Sequence, residues 1–138
     1  MIEGLSHMTF VVGDLDRMEK ILTSVLGARK IYDSGEKTFS LSRERFFDAG
    51  GLWIAVMEGE PMKERSYNHV AFKIADGDYD TCLERVRALG LELREGRPRV
   101  EGEGRSLYFY DDDNHLFELH SGTLEERLRR YGQEMLQV

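Results

Sequence analysis

The chain has 138 residues, of which 41% are hydrophobic and 33% are charged, and its formal net charge at pH 7 is −7. This length and composition predict one folded domain or two very small modules, and the acidic balance argues against a protein that binds nucleic acid by general attraction to phosphates. No apolar run is long enough to cross a membrane, no signal peptide is visible, and Cys82 is the single cysteine. We therefore expect a cytoplasmic protein without membrane or nucleic-acid partners.

The chain contains an internal repeat, in which residues 5–31 are similar to residues 67–93. Each copy carries a histidine, an aspartate and a glycine in the same order, at offsets of 62 or 63 positions. The matching pairs are His7 with His69, Asp14 with Asp76, and Gly27 with Gly90. A repeat of this length predicts two copies of one supersecondary unit, each too small to bury a core alone.

The first copy begins with an alternating strand, in which His7 and Thr9 lie on the face opposite to Phe10. A helix follows, with Asp14 as its N-cap and Gly27 as its C-terminal stop. The strands predicted after this helix are Thr38–Leu41 and Leu52–Met57.

The second copy repeats this order, and His69 again lies opposite the apolar face of the opening strand. The later strands predicted in this copy are Ser106–Tyr110 and His115–His120. A capping box at Thr123 and Glu126 predicts a short final helix. The predicted organisation is therefore α+β, with βαβββ modules at residues 1–60 and 61–122 and a C-terminal helix at 123–138, together forming one domain.

Two histidines and one glutamate are candidate metal ligands. Glu118 alternates with Phe117 and Leu119, so it lies opposite the apolar face of its strand, as do His7 and His69. If the two sheets curl to face each other, these three side chains converge in one concavity. Such a set leaves coordination positions open, which favours a catalytic divalent metal over the ordinary alternative of satisfied polar residues. The residue 62 positions before Glu118 is Val56, so one metal site per chain is predicted.

The two other histidines are not predicted to be ligands. His115 directly follows the turn residues 111–114, so we expect it to be an exposed turn residue. His120 lies on the same face as Glu118 but two residues beyond it, which indicates a supporting or structural role.

These features resemble the vicinal oxygen chelate superfamily, whose glyoxalase-like members pair βαβββ modules. The segments 68–72, 102–111 and 115–128 resemble the fosfomycin resistance enzymes within it. The resemblance covers nearly the whole chain, and it implies that His7, His69 and Glu118 bind Mn²⁺. It also implies a domain-swapped homodimer, in which each site is built from both chains.

The fosfomycin resistance enzymes comprise thiol transferases and epoxide hydrolases. The transferases carry a tyrosine where this chain has Phe46, a potassium-loop serine where it has Gly102, and a phosphonate-binding lysine where it has Pro98. These departures favour the hydrolase subgroup, whose general base is a glutamate at the position of Glu44. Without the resemblance, Glu44 would be interpreted as part of a solvated charge pair with the arginines beside it.

The resemblance implies that fosfomycin, a small epoxide carrying a phosphonate, is hydrolysed to a vicinal diol by water that Glu44 deprotonates. Thr9 is expected to bond the epoxide oxygen or the phosphonate, and Arg127 to hold the phosphonate dianion. The other substrate-binding candidates are Ser106, Tyr108 and Trp53. Arg97 or Arg99 is expected to replace the charge of the lost lysine. The ordinary alternatives are a core position for Trp53 and a helix-surface charge for Arg127.

Three other functions fit the same fold. A thiol transferase would consume glutathione or another thiol. An extradiol dioxygenase also uses two histidines and a glutamate, but with iron and usually in a larger chain. A drug-binding module would sequester its ligand without a metal, and the presence of all three candidate ligands disfavours it.

Overall fold

The computed structural model describes residues 1–96 and 101–132. Their elements are, in chain order, β1 (His7–Val12), α1 (Leu15–Val25), β2 (Arg29–Asp33), β3 (Glu44–Ala49), β4 (Leu52–Glu58), β5 (His69–Lys73), a 3₁₀ helix (Asp76–Asp78), α2 (Tyr79–Ala88), β6 (Glu92–Arg94), β7 (Ser106–Tyr110), β8 (Leu116–His120) and α3 (Leu124–Arg130). The α+β class is confirmed. Among these helices, none is long and apolar enough to cross a membrane.

The chain divides into two compact units. The first contains Met1–Arg65 and Asp111–His115, and the second contains the described residues of Ser66–Tyr110 and Leu116–Val138. Each unit has one four-stranded sheet, with the order β1-β4-β3-β2 in the first and β5-β8-β7-β6 in the second. In both sheets the opening strand pairs in parallel with the last strand, and the remaining pairs are antiparallel. The shared topology confirms the predicted repeat.

Helix α1 forms as its sequence predicts and covers one face of the first sheet. The Asp14 side chain accepts a hydrogen bond from the Arg17 backbone N–H at 3.1 Å, which confirms the predicted N-cap. The buried side chains of the helix are Leu15, Met18, Ile21, Leu22 and Val25. Fully burying an aliphatic side chain of this size contributes roughly 1.5–3 kcal/mol, so this face determines how the helix packs. The polar face of β1 is thereby left on the opposite side of the sheet.

The second unit has a smaller helix and an aromatic core. Helix α2 buries Cys82 and Val86, while Phe109 and Phe117 stack with their ring centroids 5.4 Å apart. Both phenylalanines are fully buried, and alternation along β7 and β8 puts them on the face opposite to Tyr108 and Glu118. This alternation places Ser106, Tyr108 and Glu118 together on the face away from the core.

The predicted strand at Thr38–Leu41 is wrong. Among the described residues no strand pairs with this segment, and Phe39 and Leu41 are 72% and 88% exposed. The two apolar residues alternate as in a strand, but a strand also needs a neighbour for its backbone hydrogen bonds. The two strands between α1 and β4 in the chain are instead β2, at the sheet edge, and β3, which lies between β2 and β4 in the first sheet.

The expectation of an exposed His115 is also wrong. Its side chain is 13% exposed, its Nδ1 lies 2.7 Å from Asp111 Oδ2, and its ring packs edge-on against Phe10. The same loop is tied to the start of the chain, where the Gly13 N–H donates to Asp113 Oδ1 at 2.9 Å. The loop at 111–115 is therefore an anchored part of the first unit, because its polar groups are used for contacts with β1 and the turn after it.

Replacing Gly104 by alanine is expected to destabilise the second unit more than replacing Gly102. Both glycines have positive φ, which costs an alanine roughly 1–2 kcal/mol. A Cβ on Gly104 would also come within 2.5 Å of the Gly122 backbone nitrogen, whereas one on Gly102 meets nothing within 4 Å. Overpacking adds about 1–3 kcal/mol, and chemical denaturation of both variants measures the difference. An equal loss of unfolding free energy in the two variants would contradict the close approach of the backbone at Gly104 to that at Gly122.

Candidate metal and substrate site

His7, Thr9 and Trp53 share the face of the first sheet that lies opposite α1. His7 pairs in register with Trp53 on the neighbouring strand, and the two rings are tilted by 31° with their centroids 4.3 Å apart. Ser6 Oγ lies 3.0 Å from His7 Nδ1, which leaves Nε2 as the nitrogen available to a ligand. Trp53 is 38% exposed, so it forms part of a surface on this face rather than the core.

Glu44 is a buried carboxylate on the same face of the sheet. Glu44 is the first residue of β3 and pairs with Met57. Phe46, two residues later and on the same face, pairs with Ala55, which in turn pairs with Thr9. Glu44 is 9% exposed, and among the described residues no group forms a hydrogen bond or ion pair with the carboxylate. A buried charge without a partner destabilises the fold, so such a group is typical of a functional site.

The solvated charge pair is wrong for Glu44, because the arginines on either side of it have other partners. Arg43 forms ion pairs with Glu58 and Glu36. The guanidinium of Arg45 lies on the opposite face of β3, where it pairs with acidic residues. Those partners are Asp16, Glu19 and Asp33.

In the second unit, His69 and Glu118 are brought together. His69 Nδ1 lies 2.7 Å from the Tyr67 carbonyl oxygen, and because a carbonyl only accepts, Nδ1 is the donor. In a neutral imidazole Nε2 is then an acceptor, and it lies 3.2 Å from Glu118 Oε1. Two acceptors face each other favourably only with a proton or a metal cation between them. This pair therefore fits a divalent metal.

Hydrogen bonds keep Glu118 ionised inside the protein. Burial opposes its charge, but hydrogen bonds from Ser106 and Tyr108 and the nearby His120 and His69 outweigh burial and lower the pKa of the carboxyl. Ser106 Oγ donates to Glu118 Oε2 at 2.7 Å. Burial and the contacts with Tyr67 and Glu118 raise the pKa of Tyr108, so its hydroxyl remains a donor.

The third predicted ligand, His7, belongs to the first unit, while His69 and Glu118 belong to the second. Within residues 1–96 and 101–132, no group of three or more His, Cys, Asp or Glu side chains is close enough to hold a metal ion. The described chain thus presents two ligands together and the third on the equivalent strand of the other unit.

The register identifies equivalent positions in the two sheets. Thr9 and Ala71 each lie two residues after the matching histidines. In the first sheet Thr9 pairs with Ala55, and in the second sheet Ala71 pairs with Glu118. The position equivalent to Glu118 is therefore Ala55, and the assignment of Val56 is wrong by one residue because the repeat offset is 63 there. The first sheet still carries no carboxylate at this position. By the same register, Glu44 is equivalent to Ser106 and Phe46 to Tyr108.

Arg127 lies on α3, at a cavity of about 230 Å³ beside the end of β8. The residues that line this cavity are His120, Gly122, Thr123, Leu124 and Arg127. The two acidic residues of the helix make other contacts, because Glu125 lies 4.0 Å from Arg129 and Glu126 accepts from Thr123. Among the described side chains none pairs with the Arg127 guanidinium, so the ordinary surface ion pair is absent there.

Sequence reasoning missed two residues at this site. Tyr67 supplies the carbonyl that orients His69, and alternation extended back from β5 would have identified it. Arg94 pairs with Tyr108 in register, donates to the Tyr110 hydroxyl at 3.0 Å, and lies 5.0 Å from the Tyr67 ring centroid. Its strand has three residues, too few for a pattern. Arg97, Pro98 and Arg99 lie outside the described residues.

Comparisons with known proteins identify the family of the chain. Residues 4–119 match the Glyoxalase/Bleomycin resistance protein/Dioxygenase superfamily. The chain is 65% identical over 130 residues to the fosfomycin resistance protein FosX of Mesorhizobium japonicum, a match that covers 94% of each chain. It is also 38% identical over 137 residues to the metallothiol transferase FosB of Shouchella clausii, covering 95% of this chain and 88% of that one.

A solved structure is similar over almost the whole chain. A crystal structure of a FosX variant from Listeria monocytogenes has a TM-score of 0.86 and 53% sequence identity, covering 95% of this chain and 99% of that chain. It is a complex with Mn(II) and 1S,2S-dihydroxypropylphosphonic acid.

Proposed function

Because the chain belongs to the Glyoxalase/Bleomycin resistance protein/Dioxygenase superfamily, we propose that it is a Mn²⁺-dependent hydrolase that opens the epoxide ring of fosfomycin with water. The observation that carries this proposal is the buried carboxylate of Glu44, which has no partner among the described side chains and lies on the face that also carries Thr9. The likeness to FosX proteins supports it, as does the dihydroxypropylphosphonic acid in the Listeria monocytogenes complex, since that diol is what water addition to fosfomycin yields.

His7, His69 and Glu118 would hold the metal. Two imidazole nitrogens and one carboxylate oxygen suit Mn²⁺, and the facing acceptors of His69 and Glu118 already require a cation or a proton between them. When bound, the metal supplies a Lewis acid for the epoxide oxygen. In the homodimer that we propose, His7 of one copy completes the ligand pair of the other copy.

Glu44 acts as the general base. Its carboxylate takes a proton from a water molecule, whose oxygen forms a bond to one epoxide carbon while the carbon–oxygen bond of the ring breaks. The ring oxygen then takes up a proton, so the net reaction adds one water and gives a vicinal diol. Thr9 donates a hydrogen bond to the epoxide oxygen or the phosphonate, and Trp53 forms the apolar wall beside the epoxide carbons.

Arg127 binds the phosphonate, and replacing it by alanine should raise KM and lower kcat. Loss of one charge-assisted hydrogen bond costs roughly 1.5–3 kcal/mol, or about 10- to 150-fold in kcat/KM. The matched control is Arg129→Ala on the same helix, because Arg129 is 74% exposed and lies near Glu125. Steady-state kinetics of both variants test this. Equal behaviour of the two variants would place Arg127 outside the substrate site.

The decisive experiment identifies the product. Protein reconstituted with Mn²⁺ is incubated with fosfomycin, with and without glutathione, in ¹⁸O-labelled water, and the products are followed by phosphorus NMR and mass spectrometry. We expect the diol in both samples, with one labelled oxygen. A glutathione adduct as the main product would replace the hydrolase by a thiol transferase, and unchanged fosfomycin would favour a binding module.

The assembly that we propose is a cytoplasmic homodimer in which both modules and the C-terminal helix act as one domain. The chain has one cysteine, Cys82, which is buried and free, as is usual in a reducing compartment. Size-exclusion chromatography with light scattering measures the mass, for which we expect twice the 16.0 kDa of the chain. A monomer that binds Mn²⁺ fully would contradict the shared site.

A further inference from the structure

Three polar side chains, His120, Ser106 and Glu118, form a hydrogen-bonded line on the face of the second sheet that carries His69. His120 Nδ1 lies 2.8 Å from Ser106 Oγ, which in turn lies 2.7 Å from Glu118 Oε2. The side chains of His120 and Glu118 are 12% and 5% exposed. Hydrogen bonds are stronger in the protein interior than in water, so these two bonds fix the orientations of the three side chains.

The direction of these hydrogen bonds follows from the number of protons. An ionised carboxylate only accepts, so the single hydroxyl proton of Ser106 is donated to Glu118. Ser106 Oγ can then only accept from His120, whose Nδ1 must carry the proton. The line therefore runs from the His120 Nδ1–H to the Ser106 oxygen, and from the Ser106 hydroxyl to Glu118 Oε2.

The glycine at position 122 leaves space for the His120 ring. A Cβ on Gly122 would lie 2.7 Å from His120 Nε2 and 2.5 Å from the Glu103 carbonyl oxygen. Gly122 thus leaves room for the imidazole at a point where any other residue would displace it. The ring is confined on this side, and its orientation toward Ser106 is a property of the fold.

We propose that His120 is a positioning residue for the metal site, which acts through Ser106 to hold Glu118 with Oε1 turned toward His69. This inference rests on the proposed function, since it concerns the carboxylate that would bind Mn²⁺. Ser106 occupies Oε2, so Oε1 is the oxygen presented beside His69 Nε2. Ser106 cannot donate the same proton to a phosphonate, and its role is therefore to orient a ligand rather than to bind substrate.

The test compares two replacements of His120 that differ in one hydrogen bond. In His120→Asn the side-chain amide nitrogen takes the place of Nδ1 and can donate to Ser106, while His120→Leu has no donor. Mn²⁺ affinity is measured by titration, with free Mn²⁺ counted by electron paramagnetic resonance. Loss of a residue that orients a metal ligand typically weakens affinity by roughly 10- to 100-fold, which we expect for leucine but not for asparagine.

A double-mutant cycle tests whether His120 acts through Ser106. Ser106→Ala should weaken Mn²⁺ binding as much as His120→Leu, and the double variant should be no weaker than Ser106→Ala alone. In addition, the ¹⁵N chemical shifts of the metal-free protein should show the His120 proton on Nδ1. Thermal unfolding of each variant confirms that a folded protein is being titrated.

The outcomes separate this inference from the function on which it rests. Equal weakening by leucine and asparagine, additive effects in the double variant, or a proton on Nε2 would each overturn the role of His120, while the wild type still binds Mn²⁺. A wild-type protein that binds no Mn²⁺ and leaves fosfomycin unchanged would overturn the proposed function itself, and the positioning role with it.

Discussion

Replacing Glu44 by glutamine is expected to lower kcat by roughly 10²–10⁴-fold, which is the usual contribution of a general base. Glutamine keeps the size of the side chain and fits the same place at the start of β3, but it cannot accept a proton from water. Because the Glu44 carboxylate makes no hydrogen bond or ion pair with the described residues, its replacement should not weaken the fold. Mn²⁺ binding and KM for fosfomycin should therefore stay near the wild-type values.

The matched control is Asp48→Asn, on the same strand and the same face of the sheet. Asp48 is level with Trp53 and His7, but its carboxylate accepts from the Gly51 N–H at 2.8 Å, a bond that asparagine can also make. Steady-state hydrolysis rates of both variants decide between the two carboxylates. A large loss of kcat in Asp48→Asn with normal turnover in Glu44→Gln would transfer the role of the base to Asp48.

Alanine at any one of His7, His69 or Glu118 is expected to abolish stoichiometric Mn²⁺ binding and turnover. Each would supply one of only three protein ligands, and two remaining ligands cannot hold the metal against chelation by the buffer. Metal content after dialysis, measured by elemental analysis, checks the first effect, and the phosphorus NMR assay checks the second.

His115→Ala provides the control for these variants, since it removes a histidine whose partner is Asp111. We expect it to keep one Mn²⁺ per chain while lowering the unfolding temperature. Near wild-type metal content in any of the three ligand variants would remove that residue from the set, and loss of metal in His115→Ala would show that metal content reports stability alone.

The local pattern of the chain predicted the parts of the fold whose side chains face a core. Alternation placed β1, β5, β7 and β8, and helical spacing placed α1 with its cap at Asp14. The same alternation put His69, Glu118 and Ser106 on one face, because side chains two residues apart point to the same side of a sheet.

Two of the missed strands, β2 and β6, lie at sheet edges, where burial leaves little pattern, while the third, β3, lies between β2 and β4. In β2 no residue is buried and Ile31 is 52% exposed, and all three residues of β6 are exposed. These strands exist because a neighbouring strand pairs with their backbone, which is information that a local pattern does not contain. The false strand at Thr38–Leu41 is the converse case, with a pattern but no partner.

The chemistry of the site was predictable in part. Repeat symmetry identified the histidines, while Glu44 was found by resemblance, since a glutamate between two arginines has nothing unusual in its spacing. What distinguishes it is that both arginines bind elsewhere, which depends on the three-dimensional positions of Glu58 and Asp33. The contact of His120 with Ser106 likewise depends on the register of two strands.

The loop at 111–115 has a consequence for how this chain is made by a ribosome. Its contacts complete the first unit, since Asp113 accepts from Gly13 and Asp112 pairs with Arg17, about a hundred residues earlier in the chain. These bonds cannot form until most of the protein has been synthesised and has left the exit tunnel. The amino-terminal half therefore lacks these contacts throughout the translation of the other half. A prematurely terminated chain ending near residue 65 would also lack them, although the finished protein uses them to hold the turn that follows its first strand.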